Sequence, residues 1–433
     1  MAQLLKSTAD DFEAAFSALL SAKRETTTDV RDVVTDIIRD VTDRGDEALY
    51  ELTTKFDRFN ARTRGLKVTE AEVDAACAQV DAETMQALEL AANRIRGFHE
   101  KQIPDDLDYV DEAGVRLGQN WQAVEAAGLY VPGGTASYPS SVLMNAIPAA
   151  VAGVDRVVMV VPTPDDILNP LVLAAAKLAG VTEIYRIGGA QAVAALAFGT
   201  ETIAPVDKIV GPGNAFVAEA KRQVFGKVGI DTIAGPSEIL VVADDQNDPR
   251  WIAADLLSQA EHDTAAQSIL ITDNEAYAHQ VMAAVEDHLA NLDRKDIALA
   301  SWTDFGAVIV VEDLLDAVPL VNRLAPEHLE LAIEDADDFK PKVRNAGAIF
   351  IGRYTPEAIG DYVAGPNHVL PTARAARFSS GLSVYDFMKR TTFVGCTQES
   401  LEAIGPAAVR LAEEEGLGAH ALSVAIRLKG STK

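Results

Sequence analysis

The chain of 433 residues contains little cysteine and no long apolar run. Its two cysteines, Cys77 and Cys396, lie far apart, so neither a thiolate zinc site nor a disulfide framework is expected. Cys77 falls in a helical pattern and Cys396 follows a strand-like run, which favours packing over catalysis at both positions. The acidic N-terminus differs from a signal peptide, and no apolar run approaches the ~20 residues of a membrane span. We therefore expect a soluble, cytoplasmic protein.

Positive charge is also scarce, because 38 basic residues face 65 acidic ones and the formal net charge is −27. Phosphate backbones and anionic lipids repel such a chain, so we expect no binding to nucleic acid or to a membrane. Hydrophobic residues make up 48% and charged residues 24%, as in soluble globular proteins. The length predicts two to three domains.

Helical, highly charged sequence extends to about residue 125, and strands then alternate with helices. Helices are predicted at 168–180, 190–199, 214–225, 249–262, 275–291 and 313–323. Between them stand β-rich runs such as "DRVVMVVP", "SEILVVAD" and "AVIVVED". This alternation predicts parallel strands with crossover helices. After residue 372 the chain turns helical again, and those helices need a neighbouring domain or subunit to bury their apolar faces.

Three glycine-bearing loops, "YVPGGTASYPSS", "IGGAQA" and "VGPGNAF", fall at predicted carboxyl ends of strands. Parallel sheets bind ligands at these ends, and glycine lets backbone amides approach phosphate oxygens. None is a complete dinucleotide fingerprint, since Phe216 stands where the third glycine should be. The spacing alone leaves nucleotide binding and plain tight turns as open alternatives.

The seven histidines fall into two groups. Three lie on predicted helices among charged residues and are expected at the surface: His99, His279 and His288. Four sit beside polar groups in short segments bounded by turns: His262, His328, His368 and His420. With so little cysteine, nitrogen and oxygen ligands suit zinc or a similar divalent ion. The H-E-x-x-H motif is missing, so a zincin protease is not supported.

The stretch "LSQAEHD" is a candidate metal-binding helix. Gln259 and His262 are three residues apart and share a helix face, which suits two ligands. Glu261 and Asp263 then point elsewhere. A helix histidine with ordinary hydrogen bonds is the alternative.

Two further polar segments have plain structural interpretations. Asp361 and His368 share a glycine-proline loop in which an aspartate often caps a turn. Glu415 and His420 flank a glycine-rich helix break, where a C-cap with an incidental histidine is the alternative.

Eight motifs, in order along essentially the whole chain, resemble histidinol dehydrogenase. They are "YVPGG", "GGAQAVAALAFG", "VDKIVGPGNAFVAEAKRQVFG", "IDTIAGPSEILVVAD", "LLSQAEHD", "NRLAPEHLEL", "GDYVAGPNHVLPT" and "EEEGLGAH". The resemblance implies a zinc- and NAD-dependent enzyme. Its reaction would be the oxidation of L-histidinol to L-histidine through L-histidinaldehyde, the final steps of histidine biosynthesis.

The resemblance also implies an α/β fold with two Rossmann-like parallel-sheet domains, helical N- and C-terminal extensions and an intertwined homodimer. One zinc ion per subunit is expected. The implied divisions are an N-terminal arm over 1–26, a first α/β domain over 27–129 and 239–381, a second Rossmann-like domain over 130–238, and a C-terminal tail over 382–433. The first domain would carry metal and substrate, the second NAD, and the tail would reach the partner subunit.

Residue roles carry over from the resemblance motif by motif. The catalytic pair would be Glu327 and His328. Zinc ligands would be Gln259, His262, Asp361 and His420, the last supplied by the partner subunit. Substrate contacts would come from the same four ligands together with Ser237, His328, His368 and Glu415. NAD would meet Tyr130, Gln191 and Asn214.

The chemistry agrees with these roles. A neutral imidazole titrates near working pH, so His328 suits a base that accepts the hydroxyl proton. Glu327 could activate the water that adds to the aldehyde. Adjacent side chains diverge in an extended chain, so both can act only if Pro326 helps to hold a turn. The resemblance favours zinc as a clamp for the substrate's imidazole and amine, with Glu415 accepting a proton from the other imidazole nitrogen.

Two rival functions stay open at this stage. One is a family paralogue that oxidises another small polyol or amino alcohol. The presence of Glu415 and His368, which by the resemblance would recognise an imidazole, argues against it. The other is a zinc hydrolase, in which Glu327 activates a metal-bound water and the glycine loops are mere turns.

Overall fold

In the computed structural model, residues 2–22, 30–133, 138–233 and 235–428 are described. The chain forms two compact units, one from Met1–Lys101 and Glu125–Phe387 and the other from Gln102–Val124 and Met388–Lys433. Part of the predicted N-terminal arm, residues 134–137 of the first glycine loop, residue 234 of "AGPSE" and the end of the predicted tail lie outside the described residues.

The first unit contains a six-stranded parallel sheet, with elements numbered in chain order. In spatial order its strands are β1 (Gln3–Lys6), β11 (Ala307–Val310), β10 (Gln267–Thr272), β9 (Glu238–Ala243), β12 (His328–Ala332) and β13 (Ala348–Ile351). Every residue of β9, β10 and β12 is buried, as expected for parallel strands with both faces covered. Leu240, Leu329 and Leu331 face one core, while Ile239 and Val241 face the other.

A five-stranded parallel sheet forms the other half of this unit. Its order is β6 (Glu183–Tyr185), β5 (Arg156–Val160), β4 (Ala126–Tyr130), β7 (Lys208–Val210) and β8 (Gly229–Ile230). Its core includes Tyr130, Val158, Ile209 and much of the alanine-rich "GAQAVAALAF" helix. Small residues let that helix approach the strands closely.

Helices connect the strands of both sheets in the first unit. They are α1 (Phe12–Ser21), α2 (Arg31–Arg44), α3 (Asp46–Asp57), α4 (Ala61–Arg64), α5 (Glu70–Cys77), α6 (Ala82–His99), α7 (Pro139–Ala152), α8 (Pro170–Ala179), α9 (Gly189–Phe198), α10 (Ala215–Val224), α11 (Pro249–Ala260), α12 (Glu275–Leu289), α13 (Lys295–Phe305), α14 (Ala317–Leu324), α15 (Ala336–Phe339) and α16 (Glu357–Tyr362). Side-chain caps mark several starts: Asn169, Asn214, Asp248 and Asn274 each accept a bond from a backbone N–H of the first turn. Among the described residues, no helix combines the length and apolarity needed to cross a membrane.

The second unit is an antiparallel sheet with a helical hairpin. The strands run in the order β14 (Met388–Gly395), β3 (Arg116–Ala123) and β2 (Leu107–Val110), followed in sequence by α17 (Gln398–Glu414) and α18 (Gly418–Leu428). The capping box at Thr397 and Ser400 begins α17, and Gly416 at φ 72° turns the chain after it.

The predicted α/β alternation with parallel strands is confirmed, and the six predicted helices after residue 160 end within a few residues of their predicted limits. Several expectations were wrong. The first 125 residues are not only helical, since β1, β2 and β3 lie there, and Cys396 is exposed and not packed. The segment after residue 372 is not purely helical, because Met388–Gly395 pairs with β3 across a large sequence separation that local periodicity cannot show. His99 is not at the surface but is fully buried at the end of α6, where Nδ1 bonds the carbonyl of Ile95 at 2.8 Å.

Candidate active site

Glu327 and His328 stand at the amino end of β12, just after α14. Ala325 ends that helix in a left-handed conformation, with φ 47° and ψ 57°, and Pro326 follows. The turn brings the two side chains together, with 3.8 Å between His328 Nδ1 and Glu327 Oε2. Both residues are buried, with 5% and 4% of their surface exposed. The requirement that a turn hold the pair is therefore met.

The backbone of Glu238 orients both side chains. Its N–H donates to Glu327 Oε2 at 2.9 Å, and His328 Nδ1 lies 2.9 Å from its carbonyl oxygen. A carbonyl only accepts, so Nδ1 carries the hydrogen and a neutral ring has its lone pair on Nε2. That Nε2 is buried and has no hydrogen-bond partner among the described residues. The geometry is that of a general base.

The end of α11 supplies Gln259 and His262. Gln259 is buried, and its Oε1 has no hydrogen-bond partner in the described part of the chain. The helix ends at Ala260, earlier than predicted, but the bond from His262 N–H to the Gln259 carbonyl at 3.1 Å keeps the next residues in a turn. His262 retains an exposed surface, although surrounding protein removes enough hydration to lower its pKa, an effect that Asp361 opposes.

Asp361 lies inside α16 and not in the loop that its sequence suggested. Its Oδ1 is 3.6 Å from His368 Nδ1. Burial alone would raise the pKa of Asp361, but His368, His328 and His262 outweigh it and hold that pKa below the ordinary value. A carboxylate that stays ionised among three histidines suits a metal ligand.

Glu357 is a site residue that the sequence did not reveal. Its Oε1 is 3.6 Å from His328 Nε2, and its Oε2 accepts a bond of 3.1 Å from the Ser258 hydroxyl. Burial raises the pKa of Glu357 to about 7, an effect that His328 opposes. Ligand atoms of His328, Glu357 and Asp361 all lie within 4.8 Å of one another. The spacing of four residues between Glu357 and Asp361 on one helix was the available signal.

A second pair of acids, Asp255 and Glu330, lies behind this cluster. Glu330 follows His328 by two residues, on the same side of β12, and Asp255 precedes Gln259 by one turn of α11. Burial raises the pKa of Asp255 to about 6. Burial and the nearby carboxylates of Asp255 and Glu357 raise the pKa of Glu330 well above its usual range. Both carboxyls therefore hold a proton to a higher pH than free carboxyls do.

The donor set fits a zinc ion. Gln259 Oε1 is a buried oxygen without a hydrogen-bond partner among the described residues, and His262 and Asp361, which interact with each other electrostatically, offer a nitrogen and a carboxylate. Nitrogen and oxygen ligands of this kind are common for zinc.

Ser237, half-buried, directly precedes β9, and its carbonyl accepts a bond from Gln267 N–H at 3.0 Å.

The glycine loops follow the carboxyl ends of the five-stranded sheet, as predicted. Tyr130 ends β4, and its hydroxyl accepts the N–H of Gly189 at 3.1 Å. Tyr130 and Gln191 are both buried, whereas Asn214 is exposed and caps α10 through bonds to Phe216 and Val217. The loops are thus packed against one another, and their contact with NAD stays a prediction.

Glu415 and His420 belong to the second unit. Glu415 is the C-cap of α17 and His420 lies in the first turn of α18, and both are exposed.

Comparison with known proteins gives one consistent result. The family model described as histidinol dehydrogenase matches residues 20–428. Histidinol dehydrogenase of Rhodospirillum rubrum is 67% identical over 425 residues, which cover 98% of either chain. That of Brucella suis biovar 1 is 64% identical over 99% of this chain and 100% of its own. The chain belongs to the histidinol dehydrogenase family.

The fold agrees with this membership. The crystal structure of histidinol dehydrogenase from Elizabethkingia anophelis matches with a TM-score of 0.95 at 37% identity, over 100% of this chain and 99% of that one. As a member of this family the chain is an oxidoreductase. The buried imidazole of His328 and the adjacent carboxylate of Glu327 are groups of the kind that can accept protons in an alcohol or aldehyde oxidation.

Proposed function

We propose that the chain oxidises L-histidinol to L-histidine through L-histidinaldehyde, with zinc and two molecules of NAD. The observation that carries this proposal is the buried Nε2 of His328, which has no hydrogen-bond partner among the described residues and faces the acids and histidines of the candidate site, with Nδ1 held by the Glu238 carbonyl. Family membership selects histidinol as the alcohol.

His328 supplies the base in both oxidations. Its Nε2 accepts the hydroxyl proton of the alcohol, and the bond from Nδ1–H to the Glu238 carbonyl stabilises the imidazolium that forms. NAD, when bound, would supply the hydride acceptor for each oxidation, and two hydrides account for the four electrons between an alcohol and a carboxylate. The proton must then leave His328 before the second oxidation begins.

Glu327 performs the step between the two oxidations. Its carboxylate is held through Oε2 by the Glu238 N–H, beside the His328 ring. It accepts a proton from the water that adds to the aldehyde, while the His328 imidazolium returns its proton to the carbonyl oxygen, so that the product is the neutral gem-diol. His328 then accepts a gem-diol hydroxyl proton during the second oxidation.

Gln259, His262, Asp361 and His420 of the partner subunit would hold the zinc ion. When bound, zinc supplies a fixed positive charge that orients the substrate's imidazole and amine nitrogens. Ser237 and His368 would complete the substrate site, and Glu415 of the partner subunit would accept a hydrogen bond from the second imidazole nitrogen. We accordingly propose an intertwined homodimer in the cytoplasm.

The NAD side of the site would be the five-stranded sheet, used as a Rossmann-like domain. Support comes from its parallel order and from three loops at carboxyl ends of its strands, where Tyr130, Gln191 and Asn214 lie. The incomplete glycine fingerprint predicts a non-standard binding mode.

One measurement tests the proposal as a whole: NADH formed per histidinol consumed, with metal removed and restored. The proposal requires a ratio of about two that is lost on chelation. NADH formed only with a different alcohol would select a paralogous substrate. Metal-dependent hydrolysis without NADH would select a hydrolase.

A further inference from the structure

Lys221 and Asp231 form a buried ion pair beneath the loop that carries Asn214. Lys221 lies on α10, Asp231 directly follows β8, and only 4% and 6% of their side chains are exposed. In the exposed ion pairs of this chain, by contrast, water solvates both charged partners. Taking two charges out of water costs several kcal/mol per ion, so such a pair is a poor source of stability by itself.

Both charged side chains form hydrogen bonds with the backbone of one residue, Gly211. Its N–H donates to Asp231 Oδ2 at 2.8 Å, and its carbonyl accepts from Lys221 Nζ at 3.1 Å. Gly211 has φ 113°, which favours glycine. A Cβ at this position would lie 2.1 Å from the backbone oxygen of Tyr130. The start of "GPGN" is thus pressed against the end of β4 and held there by two charged side chains.

Contacts that start at Gly211 connect the three loops that are proposed to bind NAD. Gly211 packs on the Tyr130 backbone, and the Tyr130 hydroxyl accepts the N–H of Gly189 in the second loop. Asn214, three residues beyond Gly211, begins α10, the helix that carries Lys221. The pair therefore holds the loop after β7 against the carboxyl end of β4, and the Tyr130 hydroxyl joins that end to the loop after β6.

We propose that Lys221 and Asp231 are positioning residues for the NAD site, which hold the Gly211–Asn214 loop in its binding conformation. This inference rests on the proposed function, because it takes the loop to be part of the NAD site. An apolar pair would pack as well, but it would leave both polar groups of Gly211 buried without partners. The loop would then shift toward water and NAD would bind less tightly, while the groups around His328 stay in place.

The test uses two double variants of the full-length holoenzyme. Lys221→Met with Asp231→Leu removes both bonds to Gly211 without leaving a lone buried charge. Lys221→Met with Asp231→Asn keeps an acceptor for the Gly211 N–H. We expect the first to raise the KM for NAD and the Kd from calorimetric titration by about tenfold or more. The second should lie between it and the wild type, with kcat and the KM for histidinol within about twofold in both.

Arg353 and Asp244 provide a matched control. They form a largely buried pair in the six-stranded sheet region, and Asp244 also accepts a backbone N–H, that of Glu334, at 2.9 Å. Arg353→Met with Asp244→Leu should lower Tm and leave the KM for NAD unchanged.

The outcomes separate the inference from the function on which it rests. A wild-type enzyme that neither binds nor reduces NAD defeats the proposed function. With an active wild type, an unchanged KM for NAD in a folded variant overturns the positioning role. A fall in kcat together with a rise in the KM for NAD and in the KM for histidinol also overturns it, since that result indicates general disruption of the enzyme. If the double variant with Asp231→Leu does not fold, the double variant with Asp231→Asn decides the question, because its KM for NAD should still exceed that of the wild type.

Discussion

His328 donates its Nδ1–H to the backbone carbonyl of Glu238 across 2.9 Å, between the first residues of two adjacent parallel strands. The backbone N–H of Glu238 donates to Glu327 Oε2. The backbone of one residue of β9 therefore fixes the ring tautomer of His328 and the direction of the neighbouring carboxylate. The site lies at the amino edge of this sheet, whereas the glycine loops lie at the carboxyl edge of the other.

His328→Asn separates the hydrogen bond from the base. The asparagine Nδ2 can still donate to the Glu238 carbonyl, but the variant has no group in place of Nε2. We expect kcat to fall by about 10²–10⁴-fold, the usual contribution of a positioned base. Zinc content should change little, and kcat should fall by a much larger factor than the KM for histidinol rises, as metal analysis and steady-state kinetics would show. A kcat within tenfold of the wild type would assign the base to another residue.

Glu327→Gln should separate the two oxidations. The glutamine oxygen can still accept the Glu238 N–H, but an amide is no base for water addition. NADH formed per histidinol consumed should fall from about two toward one, while aldehyde accumulates in a trapping assay. Supplied histidinaldehyde should be oxidised slowly and histidinol at its first step nearly normally. Equal loss in both steps would contradict a separate role for Glu327.

The sequence revealed local patterns far better than contacts between distant segments. The pairing of Gln259 with His262 follows from helical spacing, and a helix with a following turn is what the structure has. Asp361 was expected in a loop because glycine and proline follow it, yet four residues before that glycine the chain is still helical. Glu238 acts through its backbone, which no side-chain pattern discloses.

Charge at Glu330 is predicted to make stability depend on pH. Burial and the carboxylates of Asp255 and Glu357 raise the pKa of Glu330, so the folded chain holds this proton to a higher pH than the unfolded chain does. Stability is then fully present below the ordinary carboxyl pKa and falls as pH rises through the raised value. Glu330→Gln mimics the protonated acid and escapes this loss.

The Tm advantage of Glu330→Gln over the wild type should therefore increase between pH 5 and pH 9, by about 2 °C or more for roughly 1 kcal/mol in a large domain. Calorimetry at several pH values measures it. Glu286→Gln, exposed on α12, is the matched control and should show a constant difference. An advantage that shrinks with pH would mean that Glu330 is ionised in the folded chain.

Mixing inactive variants can decide whether the proposed zinc site takes His420 from the partner subunit. His262→Ala removes a ligand from the first unit, and His420→Ala removes one from the second. If each site combines the first unit of one subunit with His420 of the partner subunit, a mixed dimer has one site with both histidines and one with neither. Equal amounts co-expressed yield half mixed dimers, so activity and zinc content should return to about one quarter of the wild type. If both ligands came from one chain, no site in the mixture would be complete, and activity would stay at the level of the separate variants.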